Sequence, residues 1–277
     1  MKANVLLVLG IDKIACTFIP NLTLFAIVKK LLLPFIIIVL LVGCKKEEQE
    51  LKFEDLAIEQ VSEENCIPEE ENCTFISIQI PWAINTDTRS KKINQKVEKH
   101  IIQLIDSQEE HNLSSLEALS EKFIDDYEAS SKEFPEYNIP WEASVVGKIS
   151  HSSPDLVSIE FDLALFTGGA HGYTSVTYLN FNPKTGDQLL FKDLFKDEFK
   201  SYAEKLFRKK NDIPEDQSIN STGLLFENDT FQLPKNIGFS KNKIILRYNA
   251  YEVASYSEGG IQLEIPMKDV GEFIKIQ

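Results

Sequence analysis

The sequence predicts an α+β fold of two mixed helix/strand domains with antiparallel sheets, and three observations carry that prediction. Apolar residues recur with period two in some segments and at helical spacing in others. The order of these segments is not the regular β-α-β alternation of a parallel sheet. The turn-forming stretch Phe181-Asn182-Pro183-Lys184-Thr185-Gly186-Asp187 then separates two blocks, each holding both kinds of segment. The expected parts are a leader over 1–43, an acidic tether over 44–52, an N-terminal α+β domain over 53–180 and a C-terminal α+β domain over 181–277. A chain of 277 residues has room for one large domain or two ordinary ones.

In the leader, Lys29-Lys30 precede a run from Leu31 to Val42 in which every residue is apolar. A helix of that length reaches only about 18 Å, short of a roughly 30 Å hydrocarbon core, so it suits a signal-peptide h-region rather than a span. Leu41-Val42-Gly43-Cys44 resembles the lipobox of bacterial lipoproteins, which implies cleavage before Cys44 and acylation of its thiol with chains such as palmitate. More than one chain is needed for durable anchoring. Lys45-Lys46-Glu47-Glu48 resembles the Lys-plus-acid signal that sends Bacteroidetes-type lipoproteins to the outer face of the outer membrane. Residues 1–28 are long for an n-region, and a translation start near Ile27 or Val28 would account for them.

Beyond the tether, Cys66 and Cys73 bracket the acidic loop Ile67-Pro68-Glu69-Glu70-Glu71-Asn72. In an exported protein the two form a disulfide; the metal-site alternative lacks a neighbouring His or Cys at ligand spacing. Ile76, Ile78 and Ile80 alternate as a half-buried strand. Ile93, Val97, Ile101 and Leu104 mark a helix capped by Thr86 or Asp87. Leu116, Leu119, Phe123 and Tyr127 mark a second, opened by Ser114 with Glu117 in a capping box. Period two returns at Trp141, Ala143, Val145, Gly147 and Ile149, then at Val157, Ile159, Phe161, Leu163 and Leu165, then at Val176 and Tyr178. In the second block, Phe199, Tyr202, Ala203 and Leu206 give an amphipathic helix ending in Arg208-Lys209-Lys210, cations suited to a helix C-terminus. Strands are expected at 231–233, 244–248 and 261–265.

The formal charge is −14. Lys2, Lys13, Lys29, Lys30 and Asp12 precede Cys44, so the remainder is more acidic still, about −17. This excludes the basic stripe that nucleic acid requires and argues against lying on anionic lipid. It favours a cationic partner, or simply solubility. No G-x-S-x-G elbow or HExxH pairing appears, and His100, His111 and His151 are scattered, so neither an enzyme nor a metal or cofactor site is expected. Glu160 and Asp162 share a strand face and are the carboxylates a hydrolase reading would use. The binding candidates are Gly168, Gly169 and His171, where glycines permit close approach to a polar ring, and Tyr251, Glu252 and Tyr256. For His171 the alternative is a turn whose imidazole hydrogen-bonds the backbone.

Several motifs occur in one order: Phe166-Thr167-Gly168-Gly169-Ala170-His171-Gly172, Asn182-Pro183-Lys184-Thr185-Gly186, Asp193-Leu194-Phe195, and Tyr248-Asn249-Ala250-Tyr251-Glu252-Val253-Ala254 through Glu258-Gly259-Gly260 to Ile265-Pro266. Over residues 52–277 they resemble paired envelope domains of unknown function. The same pair resembles the extracellular region of a lysozyme-sensing anti-sigma factor and the non-catalytic region of a peptidoglycan deacetylase. The resemblance implies a two-part α+β envelope protein binding lysozyme or cell-wall glycan, and the acidic charge extends the first to another cationic envelope protein. The anti-sigma factor's cytoplasmic domain and the deacetylase's catalytic His and Asp motif have no counterpart here. The expectation is a lipid-anchored envelope binding protein, with a peptidoglycan-binding module or a hydrolase with an unrecognised carboxylate site as alternatives.

Overall fold

The computed structural model describes residues 50–62, 73–106, 113–137 and 139–276. The leader with its lipobox, Cys44 and the tether as far as 49, Cys66 with the acidic loop 67–72, and His111 lie outside them. Residues 49–277 close into one compact unit, an α+β fold with two sheets.

The first sheet has the strand order β1-β2-β3-β4-β5. Its strands are β1 (Phe53–Val61), β2 (Phe75–Ala83), β3 (Glu142–Ser152), β4 (Val157–Phe166) and β5 (Tyr173–Phe181). Sequence reasoning assigned no element to β1. Glu54, Asp55 and Glu59 interrupt its apolar pattern, and they do so because β1 is an edge strand, where charge discourages pairing with another chain. Between β2 and β3 the chain passes through α1 (Thr88–Ile105) and α2 (Leu116–Glu133). That helical crossover returns β3 parallel to β2; every other pairing in the two sheets is antiparallel. Ile76, Ile78 and Ile80 meet Ile93, Val97 and Ile101 of α1, Leu119 and Phe123 of α2, and Ile159 and Phe161 of β4 in one core.

Both helices start on a side-chain cap. The Asp87 carboxylate accepts from Ser90 N at 3.0 Å, and Arg89 beside it holds that carboxyl below its usual pKa. In α2 the cap is Ser115, whose Oγ accepts from Ala118 N at 3.1 Å. The cap falls one residue later than the expected Ser114, so Glu117 is not at the reciprocal position and no capping box forms.

The second half packs α3 (Phe191–Leu194) and α4 (Phe199–Lys210) against the sheet β6 (Asn236–Ser240), β7 (Lys243–Tyr248) and β8 (Ile261–Pro266). Its core is aromatic: Phe195 stacks on Phe199 at 4.1 Å, and Phe207 meets Phe226, Phe231 and Tyr248 at 5.4–5.6 Å. The expected strand at 231–233 does not form. Phe231 and Leu233 bury their side chains from irregular chain, and Pro234 has no N–H to donate to a ladder; the strand begins at Asn236.

The register gives the five-stranded sheet two distinct ends. One carries the start of β1, the end of β2, the β3–β4 turn and the turn after β5. The other carries the end of β1, the start of β2 and the β4–β5 loop. Strands of nine to eleven residues set these ends roughly 30 Å apart.

His100 on α1 lies 2.7 Å from Thr177 Oγ1 and packs against Phe161, and burial lowers its pKa to about 4. The unfolded chain therefore protonates first, near the ordinary value of 6.5, and stability falls as pH drops from there to about 4. The expected loss is roughly 3 kcal/mol. Urea midpoints at pH 7 and pH 4.5 should show a smaller acid loss in His100→Gln than in the parent; an equal loss would assign the acid sensitivity to other groups.

Candidate functional site

The β4–β5 loop and the β7–β8 connection, distant in sequence, meet beside the edge strand β5. The connection is tied to β5 by Asn249, which is 3% exposed. Its Oδ1 accepts from Val176 N at 2.9 Å and its Nδ2 donates to Val176 O at 3.0 Å. One side-chain amide thus supplies both bonds that a neighbouring strand would make to Val176.

From Asn249 the chain turns through Tyr251, held at φ +70°, a left-handed conformation that costs a bulky residue about 1–2 kcal/mol. Tyr251, Tyr256 and His171 then form a series of rings. Tyr251 and Tyr256 have centroids 5.5 Å apart, and Tyr256 and His171 stack at 3.9 Å and 18°. Tyr256 Oη donates to Gly172 O at 2.8 Å, and His171 Nδ1 donates to the same carbonyl at 2.9 Å. The backbone bond expected of a turn histidine is present, and so is the exposed ring. Gly168 and Gly169 sit at φ +89° and +91°, as a tight connection requires. Trp141 borders Gly168 and is itself held edge-on by Phe123 and Tyr127.

Tyr251 is 62% exposed and Tyr256 37%, whereas Tyr248, a member of the same sequence cluster, is 2% exposed and belongs to the core. Glu252 follows Tyr251 directly in the connection. Asn236 Nδ2 donates to it at 3.3 Å, and burial raises its pKa although Lys235 and Arg247 are near. Tyr173 is also raised, first by burial and also by the charge of Glu252. Sequence reasoning missed Arg247 and Tyr173. Arg247 had a signal, a cation inside an apolar strand; its guanidinium packs on Gly260, where a Cβ would lie 2.5 Å from Nη2.

The structure therefore brings Gly168, Gly169 and His171 together with Tyr251, Glu252 and Tyr256. It offers surfaces for stacking and hydrogen bonding. Glu160 and Asp162 lie elsewhere, on the face of β4 that also carries Ser158. Lys148 Nζ bridges them at 2.6 and 3.6 Å, and its pKa is raised by that bond to Glu160. Both carboxylates are thus engaged by one lysine. His151 is apart, tilted on Phe239. Among the described residues no three of His, Cys, Asp and Glu converge as a metal would need, and no helix is long and apolar enough to cross a membrane.

A layered sheet joined at its edge to a smaller aromatic-cored sheet, with ring platform and glycine loop at the join, defines a two-part α+β protein with a surface site. Comparison with known proteins matches each part to a family model. Residues 67–174 match the model of Deacetylase PdaC, and residues 190–268 that of DUF3298, a protein of unknown function; both domains are present in this chain. The chain is similar in structure to a DUF3298 family protein from Pseudomonas aeruginosa PAO1, with a TM-score of 0.60 and 22% identity over 82% of this chain and 96% of that one. It is also similar to a DUF3298 family member from Bacteroides fragilis NCTC 9343, with a TM-score of 0.58 and 15% identity over 81% of this chain and 93% of that one. At such identities the likeness is one of fold. No curated protein matches.

Proposed function

We propose that this is a lipid-anchored cell-envelope binding protein, cleaved before Cys44 and held by lipid on that cysteine. It binds its partner at the His171–Tyr256–Tyr251 stack and performs no reaction of its own. The ring series carries the reading: two exposed tyrosines and a histidine converge from separate segments, one of them in a costly backbone conformation. A Cys66–Cys73 disulfide would brace the loop before β2; a Cys73 that is buried and already engaged supports it. The platform also lies at the end of the sheet away from Leu51 and Phe53, where the tether enters, so a partner would approach from the side opposite the anchor.

The partner favoured by charge is a cationic protein, lysozyme or another of the envelope, drawn to a chain of formal charge −14. Its lysines or arginines would lie on the open face of Tyr251. A second reading, cell-wall glycan, has its own support: Arg247 and Lys235 balance Glu252, leaving a platform that suits a neutral sugar ring. Capture on immobilised lysozyme and on insoluble cell wall separates them. Tyr251→Ala is expected to lower capture about ten-fold with little change in melting temperature, since the removed ring is largely exposed. Capture by lysozyme that fades with salt assigns the first partner, and salt-independent capture by wall the second. Capture unchanged by Tyr251→Ala would remove the platform from the function.

A further inference from the structure

The acidic total conceals a separation of charge between the two long helices. α1 carries Arg89, Lys91, Lys92, Lys96 and Lys99 against the single acid Glu98. α2, beside it, carries Glu117, Glu121, Asp125, Asp126, Glu128 and Glu133 against Lys122 and Lys132. On α1, Lys92, Lys96 and Lys99 share one face, being four and three residues apart. With Gln95 they line an open cleft of about 380 Å³ whose opposite wall is Gly186-Asp187-Gln188. That wall is fixed. A Cβ on Gly186 would lie 2.5 Å from Arg89 O, and Arg89 Nη1 donates to Pro183 O at 3.1 Å. Asp187 pairs with Lys92 at 2.7 Å, while Lys96 and Lys99 have no ion pair among the described residues.

The same helix begins where the tether enters the fold. Lys52 N donates to Asn85 Oδ1 at 2.8 Å, Ile84 N donates to Lys52 O at 3.0 Å, and Asn94 on α1 exchanges two 2.9 Å bonds with Ala83. From Cys44 to Glu50 the chain spans at most roughly 20 Å even fully extended. α1 is thus held within reach of whatever surface holds Cys44.

We propose that the lysine face of α1 docks on anionic headgroups of the bilayer that anchors the chain. Net charge argued against lying on anionic lipid; the separation between α1 and α2 reverses that argument for one face only. The attraction of α1 and the repulsion of α2 and the rest of the chain together select one orientation. The inference rests on the anchored reading of Cys44.

The test holds residues 45–277, through an N-terminal hexahistidine tag, on nickel-chelating lipid in phosphatidylcholine vesicles with or without phosphatidylglycerol. This part folds alone: residues 49–277 are one compact unit, and the similar solved chain from Pseudomonas aeruginosa aligns over 96% of its length with 82% of this one. Amine labelling read by mass spectrometry should be at least about three-fold slower at Lys96 and Lys99 on the anionic vesicles, and equal on both in high salt. Lys132, at the C-terminal end of α2, should label equally throughout. The pair Lys96→Glu and Lys99→Glu should abolish the protection of Lys92. Equal labelling of Lys96 and Lys99 on both vesicles, or equal protection of Lys132, overturns the docking. The tag replaces the lipid, so the result does not depend on acylation, which is read separately as fatty-acid uptake lost in Cys44→Ser.

Discussion

Gly238→Ala is expected to destabilise the protein by about 3 kcal/mol, lowering its melting temperature by roughly 6–12 °C for a unit of this size. Gly238 is the buried centre of β6, and it faces the ring of Tyr178 on β5. A Cβ there would lie 2.6 Å from Tyr178 Cγ and closer still to Cδ1 and Cε1. The ring has little room to retreat. It is 7% exposed, and burial together with neighbouring Glu160 raises its pKa, marking a phenol enclosed on several sides. Phe239 N, next to Gly238, donates to Ser158 Oγ at 3.2 Å, and Asn180 Nδ2 donates to Ile237 O at 2.6 Å, so β6 cannot move outward without breaking both bonds. The substitution thus acts on the join between the two cores rather than on either core. Gly271→Ala, where a Cβ meets nothing within 4 Å, is the control and should be near neutral. Truncating Tyr178 to Ala first should remove most of the cost of Gly238→Ala, a coupling that scanning calorimetry of the four proteins reads directly. Additive losses would show that the clash is not with Tyr178.

The α+β class was legible because side-chain period reports local geometry: β4 buries Val157, Ile159, Phe161 and Leu163, and β8 buries Leu263 and Ile265. On β3 the period holds at Ala143 and Val145 but leaves Ile149 exposed, and β5 and β7 bury residues of both faces. What was not legible depends on position in the assembled fold. β1 looks too charged for a strand until it is known to be an edge. Phe231 and Leu233 alternate like a strand, yet both pack on the second core from irregular chain. The site was legible in halves. Glycines around an exposed polar ring singled out His171, and a cluster of aromatics with acids singled out Tyr251, Glu252 and Tyr256. Their stacking was not legible, because it follows from the β7–β8 connection folding over the edge of β5. Nor could spacing tell Tyr248 from Tyr251: the first lies on a strand facing the core, the second in a left-handed turn facing solvent. The opposed charges of α1 and α2 stand in the sequence, but their meaning depends on knowing which helix starts beside the tether.

Asn249→Asp is expected to be as damaging as the loss of a buried ion-pair partner, about 3 kcal/mol or more at neutral pH, although it alters no atom position. The retained Oδ1 would still accept from Val176 N. In place of the Nδ2 donor, however, a carboxylate oxygen would face Val176 O and Glu252, whose Oε1 lies 3.5 Å from Nδ2. A buried carboxylate opposed by a carbonyl and a second acid has its pKa raised above the ordinary value near 3.9, as burial already raises that of Glu252. The sign of the pH dependence follows. The penalty is full above the folded pKa and fades as pH falls through it, because the protonated acid can again donate to Val176 O. Melting temperatures of variant and parent compared at pH 7.5 and pH 5 should therefore converge on acidification; comparison at equal pH cancels the acid loss contributed by His100. Capture of the partner should fall with stability, since Asn249 fixes the start of the connection that carries Tyr251 and Tyr256. A gap that stays constant or widens at pH 5 would mean that the amide's donor to Val176 is not what holds the platform to the sheet.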